Sequence, residues 1–426
     1  MTKANSLFRS INRLLLVVLF LLVVSYSYSQ NPVIERDTTQ ARDSIKTNTL
    51  LTHLGNGYFP TKYFNFDLRY LVKYNQYEAL RTGLGGVTNE NFSEKFKLTT
   101  YLVYGFRDHR FKYHLGGAAR LNKATDTWIE VSYTDDLQET GSTIHLTDGR
   151  LFQFFEPRLL NIELFYKHIT QAVSITHRFG SQLSTEAQFS VSNITPTFNY
   201  VFQHENTSLR RFHLSMATVS LDWRPFSTAG ELMAYPTFAL QIGQSINGLL
   251  KNELGFTKAD FKSLYIYPHQ NRSSTQLAFT LGMVSSATPL THMYHAYPNN
   301  NTKETILQRF TVAGLTSFET MYFNEFFSDR LLTLQGKHAF APFELGSRFK
   351  PELVLISKFA LGHMKHPEYH QGISFNTLEK GYFESGFELN KLLFGFGLSA
   401  AYRYGSYHLP KLEDNIALKF TFNITL

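Results

Sequence analysis

Ser142, His145 and Asp148, in the run STIHLTD, are the residue types of a hydrolytic triad. That chemistry needs an imidazole within hydrogen-bonding reach of the hydroxyl and a carboxylate behind the imidazole. On a strand the odd spacing turns His145 to the opposite face from Ser142 and Asp148. Gly141, Thr143, Thr147 and Gly149 favour a loop, so polar loop residues are expected here and not a triad. His363, His366 and His370 (HMKHPEYH) have ligand-like spacing for Zn²⁺ or Cu²⁺, with Glu368 as an oxygen donor. Pro367 breaks the helix that would gather them, and a solvated His-rich loop is the expectation. Asp135 and Asp136 invite paired-acid proteolysis, but adjacent strand residues point apart, so a turn with two solvated acids is expected. No P-loop, GxGxxG, HExxH or Ca²⁺-loop pattern occurs, and no cysteine is present to act as a nucleophile. No catalytic residue, cofactor or metal site is expected.

Glu325, Asp329 and Arg330 (EFFSDR) carry a different possibility. Glu325 and Asp329 share strand parity, and facing a lumen they would meet inward Lys or Arg. On a lipid face an Arg or Lys at mid-depth costs roughly 2–4 kcal/mol. These three residues are therefore expected to form a structural charge network bracing a barrel wall.

The elements that must position such residues begin after an export signal. Lys3, Arg9 and Arg13 precede the apolar run Leu14–Val24, and Ser25–Ser29 supplies small residues before Gln30. Residues 1–29 read as a secretory signal peptide, cleaved between Ser29 and Gln30. The run is about half the ~20 apolar residues of a spanning helix, and no cysteine stands after it for a lipid anchor. Cleavage removes three of 41 basic residues, leaving 38 against 34 acids, near +4. That mild charge on an exported chain excludes nucleic acid as a partner. The composition of the 426 residues, 43% hydrophobic and 18% charged, excludes a disordered chain or a disulfide scaffold. A mean hydropathy of −0.20 excludes a polytopic helical membrane protein.

Beyond the signal, the chain is patterned by period-two alternation. Phe64, Phe66, Leu68, Tyr70, Val72 and Tyr74 share one parity. Phe96, Leu98, Leu102, Tyr104 and Phe106 repeat the pattern, and Phe111, Tyr113, Leu115, Ala119 and Leu121 answer them. It returns at Phe394–Tyr404 and closes with Ile416, Leu418, Phe420, Phe422, Ile424 and Leu426 against Lys419, Thr421, Asn423 and Thr425. These runs are longer than the roughly five or six residues of globular strands. Their polar faces carry Gly, Ser, Thr, Asn and Gln beside charges, and their apolar faces are rich in Tyr and Phe, as interface girdles are. The fold class expected is all-β: a transmembrane antiparallel β-barrel of about sixteen strands, with fourteen to eighteen admissible. Residues 30–60 read as a periplasmic N-terminal tail and 61–426 as the barrel. Long connections, among them Asp135–Arg158 and His363–Lys380, are expected on the extracellular side.

The run NQYEALRTGLGGVTNENFSEKFKLTTYLVYGFRDHRFKYHLGG (Asn75–Gly117) resembles the opening of an uncharacterised β-barrel family of Bacteroidota outer membranes. SYTDDLQETG (Ser132–Gly141) and NEFFSDRLLTLQGKHAF (Asn324–Phe340) are similar to its later segments, in order. Members usually carry a carboxypeptidase-regulatory-like β-sandwich ahead of the barrel, and none is read here. The family is distantly similar to BamA-type assembly and secretion barrels. The resemblance implies fold and location and brings no catalytic residues.

Ser273–Thr302 contains no Asp, Glu, Lys or Arg over thirty residues. An exposed loop would leave Leu290, Met293, Tyr294 and Tyr297 in water, forgoing roughly 1.5–3 kcal/mol for each large apolar side chain. The segment is therefore expected to fold back and narrow or plug the lumen, with His292 and His295 among its polar contacts. The function expected is that of a non-enzymatic outer-membrane barrel of a Gram-negative bacterium, in transport, export or assembly of surface components. The alternatives are an outer-membrane hydrolase of lipid or peptide, or a simple diffusion porin. Its partners would be outer-membrane lipid and lipopolysaccharide, the barrel assembly machinery, and a surface or periplasmic protein.

Overall fold

A computed structural model describes residues 57–148, 157–204, 207–227, 235–285, 287–301, 311–314, 316–343, 350–393 and 396–422. The signal peptide, most of the tail at 30–60, and Ile424 and Leu426 lie outside the described residues. The chain is all-β, an antiparallel meander whose main sheet joins nineteen hydrogen-bonded pieces. Sixteen of these are staves of the barrel once the split first strand is counted once and two short edge pieces, Tyr58–Pro60 and Thr311–Val312, are set aside.

Strand β1 comes in two pieces, Phe64–Asp67 and Val72–Asn75. It is succeeded by β2 (Ala79–Thr88), β3 (Phe96–Gly105), β4 (Arg110–Asn122), β5 (Thr127–Glu139) and β6 (Phe165–Phe179). Then come β7 (Leu183–Pro196), β8 (Phe212–Trp223), β9 (Thr237–Ser245), β10 (Thr257–Pro268) and β11 (Ser274–Val284). The last five are β12 (Arg330–Ala339), β13 (Glu352–His363), β14 (Tyr382–Leu393), β15 (Phe396–Tyr404) and β16 (Ile416–Phe422). Every consecutive pair is antiparallel and hydrogen-bonded, from β1–β2 through β15–β16.

Alternation decides which way each stave faces. Leu84, Leu98, Leu115, Val131, Val173, Leu355 and Leu418 all point outward and are exposed. In water such a continuous belt would be a severe exposed patch; in hydrocarbon it is the favourable face. Exposed aromatics collect at its two borders. Phe96, Phe179, Trp223, Tyr267 and Phe396 mark the end nearest the chain termini, and Phe111, Phe383 and Tyr402 mark the other. These are the interface girdles of a membrane-spanning barrel.

The first strand departs from the expected pattern. Its alternation breaks at the 3-10 turn Leu68–Tyr70, because the Asp67 carboxylate accepts from both the main-chain N–H and the guanidinium of Arg69. This local hydrogen bonding competes with the sheet ladder. Tyr70 is thereby turned off the outward parity and stacks on Tyr101, 4.4 Å between centroids. Opposite it, Gly85 leaves room: a Cβ there would lie 2.6 Å from the Tyr70 ring.

Connections divide by rim. On the rim nearest the termini the turns are mostly short, such as 123–126 and 180–182, while 140–164, 197–211, 285–329 and 364–381 all lie on the opposite rim. Among the described residues no ladder joins β1 to β16. The outer edge of β1 pairs with Tyr58–Pro60, and that of β16 pairs in parallel with Thr311–Val312. An arginine at Leu115, in the middle of the belt, should cost about 2–4 kcal/mol of stability, whereas Gln188→Arg on the inward face of β7 should cost far less. Urea unfolding in lipid vesicles measures the difference; equal losses would contradict the assignment of faces.

Candidate functional site

Between β11 and β12, the described residues of the segment 285–329 lie inside the barrel. Its 3-10 turn Leu290–His292 lies in the core, where Leu290 and Met293 are 0% and 1% exposed. The piece Pro298–Asn300 pairs in parallel with Phe318–Tyr322, making a two-stranded sheet within the lumen. The segment touches staves far apart around the wall, from Glu139 of β5 to Lys419 of β16, which places it across the interior.

Each of the expected lumenal residues has a defined place. Tyr294 lies against Gly282, and its hydroxyl donates to the carbonyls of Met283 at 3.1 Å and Ala259 at 3.3 Å. His295 accepts the Tyr297 main-chain N–H on Nδ1, which leaves Nε2 to donate to Glu139 at 2.7 Å. Tyr297 donates its hydroxyl to the Thr143 carbonyl at 3.0 Å, and burial pushes that hydroxyl up to about 12. His292 is ringed by Tyr166, Phe212 and Phe256, with Nδ1 2.9 Å from the Thr291 hydroxyl. Gly141, at φ +82°, meets the segment from the neighbouring loop; a Cβ there would stand 3.0 Å from both His295 and Phe327.

Glu325, Asp329 and Arg330 do not share a strand. Glu325 and Asp329 sit in the irregular end of the segment, and only Arg330 begins β12. Glu325 forms a two-pronged pair with Arg403 of β15, at 2.7 and 3.0 Å. Asp329 is buried and accepts the Lys365 main-chain N–H at 2.9 Å. Arg330 is exposed, its Nε 3.9 Å from Asp329.

The remaining motifs are dispersed. Ser142 donates to the Glu139 carbonyl, Asp148 accepts the His145 main-chain N–H and pairs with Lys262, and among the described residues neither ring nitrogen of His145 has a hydrogen-bond partner. Asp135 and Asp136 lie within β5, not in a turn. Asp136 faces inward and is held by Arg81 of β2 and Tyr101 of β3, because inward charge finds partners across the barrel interior and not only on the neighbouring stave. Of the three histidines, His366 pairs with Glu368 and His363 lies near Asp329 and Glu379. His370 is not solvated. It is buried against Tyr200, whose hydroxyl is 2.8 Å from Nδ1, and burial pushes its imidazole down to about 4. No group of three metal-ligating side chains gathers among the described residues.

A second set of charges forms no motif in the sequence. Lys358 of β13, Glu384 of β14 and Lys419 of β16 are inward and buried, and Glu319 of the segment joins them. Lys419 stands 3.1 Å from Glu319, and Lys358 stands 3.1 Å from Glu384 and 4.0 Å from Glu319. Glu319 also accepts from Asn299 at 2.8 Å, Ser317 at 2.7 Å and the Gly314 main-chain N–H at 3.1 Å. Burial pushes the Glu319 carboxyl up, but Lys419 and Lys358 outweigh burial and hold it below the ordinary carboxylate range. Its contribution to docking is therefore complete at neutral pH and is lost as pH falls through that lowered value. The signal available in the sequence was charge at lumenal parity in each of three strands: Lys358 with Glu352, Glu384 with Glu388, and Lys419 alone.

No family model and no curated protein matches the chain. Among solved structures it is similar to BamA from Haemophilus ducreyi lacking POTRA domains 1-3, at 9% identity and a TM-score of 0.49, over 92% of this chain and 79% of that one. It is also similar to CdiB from Acinetobacter baumannii, at 10% identity and a TM-score of 0.43, over 82% of this chain. The chain matches 57% of the length of CdiB.

A Cβ at Gly282 would lie 2.5 Å from the Tyr294 ring, whereas one at Gly336 would meet nothing nearer than 3.6 Å. Gly282→Ala should lower stability by about 1–3 kcal/mol through overpacking and raise conductance in planar bilayers, while Gly336→Ala changes neither. Equal behaviour of the two would contradict the placement of Tyr294.

Proposed function

We propose that the protein is an outer-membrane β-barrel whose lumen is stopped by its own segment 285–329, and that it serves transport, export or assembly of surface components without catalysing a reaction. The observation that carries this reading is the segment itself. It fills the interior with buried apolar side chains and is tied to the wall by ion pairs. A simple diffusion porin keeps its lumen open, and a hydrolase requires an assembled nucleophile and base. The arrangement here supports neither.

Residues 1–29 act in this reading as the export signal and 30–60 as a periplasmic tail, so the rim carrying the long connections faces outward from the cell. The resemblance of Asn75–Gly117 to the Bacteroidota barrel family supports the same location. Lipid and lipopolysaccharide would contact the apolar belt, with the barrel assembly machinery inserting the chain and a surface or periplasmic protein supplying the cargo. The two ends of the sheet fit a conduit that rearranges. Each carries a short strand of its own, Tyr58–Pro60 or Thr311–Val312, where a fixed pore would pair β1 directly with β16.

The protein should float with outer-membrane fractions and migrate in a heat-modifiable way in detergent. Deleting Thr288–Asn300 should leave that migration intact and raise single-channel conductance severalfold in planar bilayers. Unchanged conductance from a correctly folded barrel would overturn the plug.

A further inference from the structure

The apolar belt is not smooth. Across β3–β7 its outward side chains fall in rows set by the ladder register. One row runs Leu98, Gly117, Val131, Val173 and Phe189, each directly opposite the next. Gly117 leaves a gap in that row: a Cβ there would meet only the Leu98 side chain, at 3.9 Å. The next row towards the long connections runs Leu115, Tyr133, Gln171 and Val191. The two rows line an outward-facing groove of about 630 Å³.

Gln171 breaks the apolar character of this groove. It is exposed, and among the described residues its side-chain amide has no hydrogen-bond partner. In hydrocarbon an unpaired amide is strongly unfavourable. Its depth shows what it meets. One row further out, Ile169 is flanked across the ladder by Asp135 and Asn193, where the outward face turns polar. Two residues of a tilted strand span about 5 Å of depth. The Gln171 amide therefore lies just beneath the polar boundary, at the level where lipid headgroups join their acyl chains. Tyr133 stacks on Tyr113 beside it, 5.8 Å between centroids, as aromatic side chains do at that level.

We infer that this groove is a lipid site that holds one amide-linked hydroxyacyl chain of outer-leaflet lipopolysaccharide, with its hydrocarbon over Gly117 and its linkage on Gln171. The inference rests on the reading of the chain as an outer-membrane barrel with its long connections outside, and it names the lipid that one patch of the belt selects. A side-chain amide both donates and accepts. The ester level of a glycerophospholipid offers acceptors alone, which leaves the Gln171 carbonyl unpaired. An amide-linked hydroxyacyl group offers an N–H and a hydroxyl as donors and a carbonyl as acceptor, so both ends of the side chain are satisfied. A second copy of the barrel fits less well, because two convex walls meet along a line and cannot fill a dent one side chain deep. A flexible acyl chain fills it, and the groove is continuous with the belt that lipid already covers.

The test uses the full-length protein in detergent, with heat-modifiable migration verified for every variant. Each is mixed with equal amounts of lipopolysaccharide and phosphatidylethanolamine and repurified, and the lipid retained is measured by mass spectrometry. The wild type should retain lipopolysaccharide about tenfold over phosphatidylethanolamine, the selectivity of one hydrogen-bonded group. Gln171→Leu removes the amide and Gly117→Leu fills the open space, and each should bring the ratio close to one. Gly336→Leu, at a glycine of β12 that lies opposite the exposed Leu277, should keep the wild-type ratio. A wild-type ratio near one, a ratio that survives both groove variants, an equal loss in Gly336→Leu, or a dimer that Gly117→Leu dissolves would overturn the proposal. Failure of the outer-membrane reading itself reads out separately, as recovery of the protein away from outer-membrane fractions.

Discussion

A peptide group in hydrocarbon has only other peptide groups to bond, and the rest of this structure depends on that constraint. It forces the chain into a sheet that turns back on itself. It also makes the two terminal edges the weakest places in the wall. The chain meets the constraint at those edges with pieces from elsewhere: a hairpin turned back from Asp67 on one side, and Thr311–Val312 from inside the lumen on the other. The second piece couples wall and interior. The residues that finish the edge of β16 belong to the same segment that fills the lumen.

The interior then has a problem of its own. Lys358, Glu384, Arg403 and Lys419 are inward on adjoining staves, where water in an open lumen would solvate them. Filling the lumen removes that water, and the filling must then replace it. Glu319 does this by facing both wall lysines while accepting from Asn299, Ser317 and Gly314 of its own segment. Such a network is stable only while complete, since removing one member leaves a buried charge uncompensated. The segment is therefore held cooperatively, through ion pairs and main-chain hydrogen bonds that support one another.

Much of the wall could be read from residue order, because period-two alternation is a local property of each stave. Phe111, Tyr113 and Leu115 announce β4, and Lys419 and Thr421 already stood on the lumenal parity of the last strand. The break in β1 was not legible, since Asp67 and Arg69 bond through side chains that leave no mark on the alternation. Nor was the second charge cluster. Glu319 and Lys419 are a hundred residues apart in the chain, and nothing in either neighbourhood names the other. The charge-free run around Leu290 signalled burial through composition alone. The partners it found, Glu139 at the end of β5 and Thr143 in the connection after it, depend on how the sheet curls around the segment.

The segment must lie inside the barrel against its last strand for the lumen to be stopped and the wall charges to be paired. The chain has no cysteine, so an engineered pair is free of background. Val312 and Phe420 are register partners in the parallel ladder. Cysteines at both positions, oxidised in the native membrane, should form an intramolecular disulfide in high yield and hold conductance at its low resting level until a reductant is added. Failure of the pair to cross-link in a folded barrel would contradict that placement.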